Sequence, residues 1–131
     1  MPRRRTSRSA PRPTDGELEI LTVLWNRGAS TVREVQEGLG RPAGYTTVLK
    51  LLQIMLEKGL VRRDESERSH RYEAARTREQ TQGRLVADLI GRAFDGSASE
   101  LVLRALDAKP VPRGELEEIQ RVLDRLEEEN P

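Results

Sequence analysis

Four polar side chains, Thr46, Lys50, Gln53 and Glu57, fall at helical steps of 4, 3 and 4 on one side of a segment whose other side is apolar, and Thr47 stands beside Thr46 in its first turn. Thr46, Thr47, Lys50 and Gln53 suit the reading of base edges. A glutamine pairs bidentately with adenine, and a lysine donates to guanine. Threonine hydroxyls in a first turn sit where a phosphate meets a helix N-terminus. Just beyond lie Arg62, Arg63, Arg68 and Arg71, the side chains that backbone phosphates attract; such contacts set register and affinity rather than sequence preference. Thr, Lys and Gln also make up ordinary solvated faces, so a module that binds only protein stays open at this point. Enzymatic chemistry has far less to draw on. The one histidine, His70, stands between Ser69 and Arg71, and the chain has no cysteine. Thiol catalysis, thiolate or histidine-pair metal sites and disulfides are thereby excluded, and neither glycine-rich phosphate-binding motif is present. We expect no catalytic residues, no metal and no cofactor.

The segment carrying the four polar residues is predicted to be a helix over Tyr45 to Lys58, with Val48, Leu51, Leu52, Met55 and Leu56 as its buried stripe and Gly59 as its stop. Two helices precede it. Thr14-Asp15-Gly16-Glu17 and Thr31-Val32-Arg33-Glu34 are capping boxes, opening helices of about 15–26 and 31–39; Gly28 ends the first as a left-handed cap. Behind the third helix the period changes. Leu60 to Glu65 and Arg68 to Ala74 read as two strands, the second with His70 and Tyr72 on one face and Arg71 on the other, and 65–68 is the turn. Three short helices and a hairpin follow the order of a winged helix-turn-helix.

From Thr77 onward the pattern is helical, over about 78–94, 98–108 and 114–129. A third capping box, Ser97-Ala98-Ser99-Glu100, opens the second of these helices, and Pro110 and Pro112 close it. Leu116, Ile119, Leu123 and Leu126 recur at steps of 3, 4 and 3. Aromatics make up only 3% of the chain, too few to fill a separate core beneath three narrow apolar stripes. The stripes are expected to meet a second copy of themselves, through Leu85, Leu89, Phe94, Leu101, Leu106, Leu116, Ile119, Leu123 and Leu126. The predicted class is mainly α with a small β-hairpin. A basic arm (1–13) precedes a winged-helix domain (14–75) and a three-helix dimerisation domain (76–131).

Charge is distributed to match. Residues 1–13 hold five arginines and no acid, residues 41–75 carry a net +2, and the two remaining stretches are each net −3. A basic tail and one basic middle segment suit a nucleic-acid binder with one working face. No apolar run approaches the length of a membrane span, and no hydrophobic stretch follows Met1-Pro2-Arg3-Arg4-Arg5 as a secretory signal requires. The expected location is the cytoplasm. The arm is read as disordered.

Gly16 to Trp25, Tyr45-Thr46-Thr47-Val48, Glu57-Lys58-Gly59-Leu60-Val61 and His70-Arg71-Tyr72 together resemble the BlaI/MecI/CopY, or penicillinase-repressor, family of winged-helix transcriptional regulators. The resemblance covers about 14–131 and is most specific in the winged part; farther on it rests on helix order and Ser99-Glu100-Leu101-Val102-Leu103. It implies a homodimeric repressor on a two-fold symmetric double-stranded operator, often with TACA/TGTA-like half-sites. It also implies relief by proteolysis in the dimerisation domain, with a membrane-embedded zinc metalloprotease sensor as partner. Three departures stand out. Ile54 follows Gln53 where many relatives have arginine. The positions matching the family's Asn-Phe cleavage bond are Arg104 and Ala105. The cysteine-rich tail of the copper-responsive members is missing. A winged-helix regulator released by a small molecule, and an adaptor that never touches DNA, are the alternatives.

Overall fold

The computed structural model describes residues 12–130, so the basic arm lies almost wholly outside the described residues. In chain order the elements are α1 (Asp15–Arg27), α2 (Val32–Gly38), α3 (Tyr45–Lys58), β1 (Val61–Asp64), β2 (Arg71–Ala74), α4 (Arg78–Ala93), α5 (Ala98–Ala108) and α6 (Arg113–Glu129). The chain is mainly helical with one small antiparallel hairpin. It forms two compact units that divide within α4, between Leu85 and Val86.

In the first unit both threonine boxes form in full. Thr14 Oγ1 accepts from the Glu17 N–H at 3.2 Å while the Glu17 carboxylate accepts from the Thr14 N–H at 2.9 Å. Thr31 and Glu34 repeat the pattern at the same distances. The helices so started present Ile20, Leu21 and Leu24 from α1, Val32 and Val35 from α2, and Val48, Leu52 and Met55 from α3 to one core. Leu60, Val61 and Tyr72 close it from the hairpin side, and Leu51 and Leu56 of the expected stripe pack at its edge, only partly buried. Gly59 takes the left-handed conformation (φ 79°, ψ 17°), and the Leu60 N–H reaches back to the Met55 carbonyl at 2.9 Å. Gly28 also has a positive φ, 89°, but its ψ of −167° is extended. It is therefore not the left-handed cap the sequence suggested: α1 leads straight into the Ser30 bridge described next.

The strands are shorter than the sequence suggested, with Val61 opposite Ala74 and Asp64 opposite Arg71. Two interactions explain this. The Asp64 carboxylate accepts from the Ser66 N–H at 2.9 Å, turning the chain out of the ladder. On the other edge of β2, Tyr72 exchanges both backbone hydrogen bonds with Ser30, at 2.8 and 2.9 Å, which anchors the strand at its centre. The connection accordingly runs over 65–70. His70, expected beside Tyr72 on one face of the strand, lies in that loop and is exposed, whereas Tyr72 is buried.

Gly38 sits where α2 crosses α1. A Cβ there would lie 2.7 Å from Val23 Cγ1, closer than side chains approach. Alanine in a helix normally gains about 0.5–1 kcal/mol over glycine. Here the overlap is expected to reverse the sign, so that Gly38→Ala lowers stability by about 1–2 kcal/mol. Urea unfolding followed by the fluorescence of Trp25, the single tryptophan, checks this.

The opening turns of α4 belong to the first unit. Trp25 Nε1 donates to the Arg76 carbonyl at 3.0 Å, Arg78 lies over the Trp25 ring and bonds Asn26, and Thr81 is buried.

In the second unit, Asp95 and Gly96 turn the chain at positive φ, and the Gly96 N–H closes α4 on the Ile90 carbonyl at 3.0 Å. Ser97 caps α5 through the Glu100 N–H at 3.1 Å. The Glu100 carboxylate does not return the bond, so only half of the expected box forms: the Ser97 N–H donates instead to the Phe94 carbonyl at 2.8 Å. Neither α5 nor α6 has a buried side chain.

Candidate nucleic-acid interface

Burial of Val48, Leu52 and Met55 fixes which way α3 faces. The opposite row, Thr46, Thr47, Lys50 and Gln53, is exposed along its whole length. The structure therefore brings the four predicted base-reading residues onto one open face. The start of α3 differs from the starts of α1 and α2. Its N-cap is Gly44, with no side-chain cap, so the first-turn N–H groups keep their positive field beside Thr46 and Thr47.

The four hairpin arginines are not one cluster. Arg62 pairs with Glu73 at 3.5 Å and lines a separate groove of about 300 Å3 with Trp25 and Arg76. Arg63 pairs with Glu65. Arg71 bridges Glu34 of α2 at 3.1 Å and Glu67 at 3.6 Å. Among the described residues, Arg68 alone of the four holds no carboxylate. The Glu34 carboxyl is held below the usual carboxylate range, chiefly by the Thr31 N–H, against a smaller desolvation effect and with help from Arg71 and Arg27. Glu34 thus both caps α2 and moors the hairpin to it.

Sequence reasoning missed the surroundings of Arg68. A groove of about 430 Å3 opens between α2, the start of α3 and the 65–70 loop, and Arg33, Tyr45, Leu49, Arg68 and His70 are among its walls. The Arg33 guanidinium lies 5.5 Å from the Tyr45 ring centroid. One signal was available: Arg33 falls on the side of α2 away from Val32 and Val35, and Tyr45 opens α3 as an aromatic with no place in the apolar stripe.

In the second unit, the predicted interface residues Leu89, Leu116, Leu123 and Leu126 are exposed in the single chain, whereas Phe94, Leu101, Leu106 and Ile119 are half-buried. Leu85, at the end of the first unit, is also half-buried. Among the described residues, every exposed large hydrophobic side chain other than Tyr45 lies in α4, α5 or α6. Arg104 and Ala105 are exposed in the middle of α5. Among the described residues no group of His, Asp and Glu could hold a metal ion, and no helix is long and apolar enough to cross a membrane.

The family model for the penicillinase repressor matches residues 13–125. The transcriptional regulator BlaI of Mycobacterium tuberculosis, in two strains, is 32% identical over 117 residues, spanning 86% of this chain and 84% of the relative. Among solved structures, the transcriptional regulator Tm0710 from Thermotoga maritima aligns over 86% of this chain and 77% of its own, at 20% identity and a TM-score of 0.47. A MarR family transcriptional regulator from Silicibacter pomeroyi DSS aligns over 92% and 70%, at 22% identity and a TM-score of 0.42.

Proposed function

Because the chain belongs to the penicillinase-repressor family, and is therefore a DNA-binding transcriptional repressor and not an enzyme, we propose that it acts as a homodimer on a two-fold symmetric operator. In this reading residues 14–75 bind DNA, with Thr46, Thr47, Lys50 and Gln53 entering the major groove, and residues 76–131 hold the two copies together. The observation that carries the reading is the open polar face of α3, set against the buried Val48, Leu52 and Met55 on its reverse side. A rigidly seated helix with such a face is what major-groove entry requires. The uncovered apolar side chains of α4 to α6 support the dimer, since faces of this kind mark association surfaces. Relief of repression by proteolysis in α5, with a membrane metalloprotease sensor as partner, is the second part of the proposal. Cutting at Arg104-Ala105 requires local unwinding, because both residues lie inside the helix.

The test is fluorescence anisotropy with the duplex upstream of the protein's own gene against a scrambled duplex, at low and moderate salt. Preference for the native duplex that survives rising salt supports the reading. Equal binding that collapses with salt on both duplexes refutes it. Lys50→Ala is expected to cost about tenfold or more on the native duplex, in line with the loss of one good base contact, and little on the scrambled one. Equal losses on both place Lys50 on phosphate instead.

A further inference from the structure

The groove between α2, α3 and the 65–70 loop carries positive charge that no ion pair absorbs. Arg62, Arg63 and Arg71 each hold a carboxylate. Arg33 and Arg68 hold none among the described residues, and both line this groove. Tyr45, 44% exposed, serves as a platform for Arg33. Stacking on the ring orients the guanidinium while leaving its donor fork free for an oxygen acceptor. The groove lies against the first turn of α3, where Gly44 leaves the N–H groups without a side-chain cap. Cations from two elements thus converge beside the helix end that a DNA backbone passes when the helix enters the major groove.

We infer that this groove seats one phosphate of the DNA backbone, gripped by Arg33 and Arg68, and that seating the phosphate makes His70 take up a proton. The inference rests on the DNA-binding reading and deepens it, adding Arg33 and His70 to the contact surface and making operator affinity sensitive to pH. The groups around His70 set the sign. Across the groove stand Arg33 and Tyr45, beside it Arg68 and Tyr72, and Asp64 on β1 interacts with it electrostatically. The carboxylates of Glu34 and Glu67 are engaged by Arg71. A phosphodiester anion seated between Arg33 and Arg68 offsets part of their charge, so the imidazolium is favoured more in the complex than in the free protein. Affinity then rises as pH falls from about 8 toward 6, across the ordinary range of histidine.

The experiment uses the full chain and the same two labelled duplexes, in a salt series at pH 6 and at pH 8. The wild type is expected to bind more tightly at pH 6. Arg33→Gln/Arg68→Gln is expected to weaken both duplexes by the same factor, about tenfold, and to lower the salt slope by about 1 per protomer. Arg33→Lys, which keeps the charge but not the stacked planar fork, is expected to fall between the wild type and Arg33→Gln in affinity. His70→Gln is expected to match the wild type at pH 8 and to lose the tightening at pH 6. All three positions are exposed, and Trp25 fluorescence confirms that each variant is folded. If the double glutamine variant keeps the wild-type affinity and salt slope on a duplex the wild type binds, the groove is not a phosphate seat, while the DNA-binding reading stands. If the slope falls but His70→Gln keeps the pH dependence, the proton linkage is overturned. If the wild type shows no salt-dependent binding to either duplex, both readings fall together.

Discussion

In the proposed homodimer, Leu123→Asp is expected to shift the mass in light scattering from dimer to monomer and to lower affinity for the proposed operator by about a hundredfold or more. The apolar row of α6 is the reason. Leu116, Leu123 and Leu126 are 46%, 47% and 49% exposed in the single chain, with Ile119 half-buried in the same row. Covering one leucine is worth about 1.5–3 kcal/mol, and a symmetric interface buries each such residue twice. A carboxylate at the centre of the row removes that gain and adds the cost of desolvating a charge without a partner. The consequence for DNA follows from linkage. Two half-site contacts held in one particle reinforce each other by about 10²–10⁴-fold, and separated copies lose that factor. Arg121→Asp, on the opposite side of α6, changes charge in the same direction and is expected to leave the mass unaltered. A Leu123→Asp protein with wild-type mass removes α6 from the interface.

What was legible in the sequence was local. The limits of α3 were readable because an apolar row at steps of three and four ends at a glycine, and that row also tells which residues face out. The starts of α1 and α2 were readable because a capping box is complete within four residues. The hairpin was read too long because its true limits depend on Asp64 turning onto Ser66 and on Ser30, 42 positions before Tyr72, acting as a third partner in the ladder. The arginines show the same divide. Their position in the chain suggested one phosphate-facing cluster, but Arg71 meets Glu34 across 37 positions, and Arg62 opens on a different groove from Arg68. The pairing of Arg33 with Tyr45 depends on how α2 crosses α3, which no spacing along the chain encodes. Composition marked a basic middle segment; packing chose which of its cations remain available.

Removing the cation from the Glu17–Lys58 pair is expected to be the most damaging polar substitution in the winged unit. Glu17 is 2% exposed, and both of its carboxylate oxygens accept from Lys58 Nζ, at 2.9 and 3.0 Å, across 41 positions of chain. The same carboxylate completes the cap of α1, so the pair ties the start of α1 to the last turn of α3 and fixes the tilt of the exposed row. Burial pushes the Glu17 carboxyl up, but the Thr14 N–H and the Lys58 ammonium together outweigh it and hold it below its ordinary value of 4.5. A carboxyl depressed in the folded state contributes stability that is fully present above its unfolded value and is lost as pH falls through its folded one. The contribution is therefore intact at pH 7 and fades on acidification below about 4.5. Lys58→Met leaves a buried carboxylate without its cation and is expected to cost about 3 kcal/mol at pH 7, read from urea unfolding by Trp25 fluorescence. Adding Glu17→Gln removes the orphaned charge, so the double variant is expected to be more stable than Lys58→Met alone, with a flatter acid limb than the wild type. Strictly additive losses in this cycle show that the two groups do not interact, and the tilt of α3 then rests on Val48, Leu52 and Met55 alone.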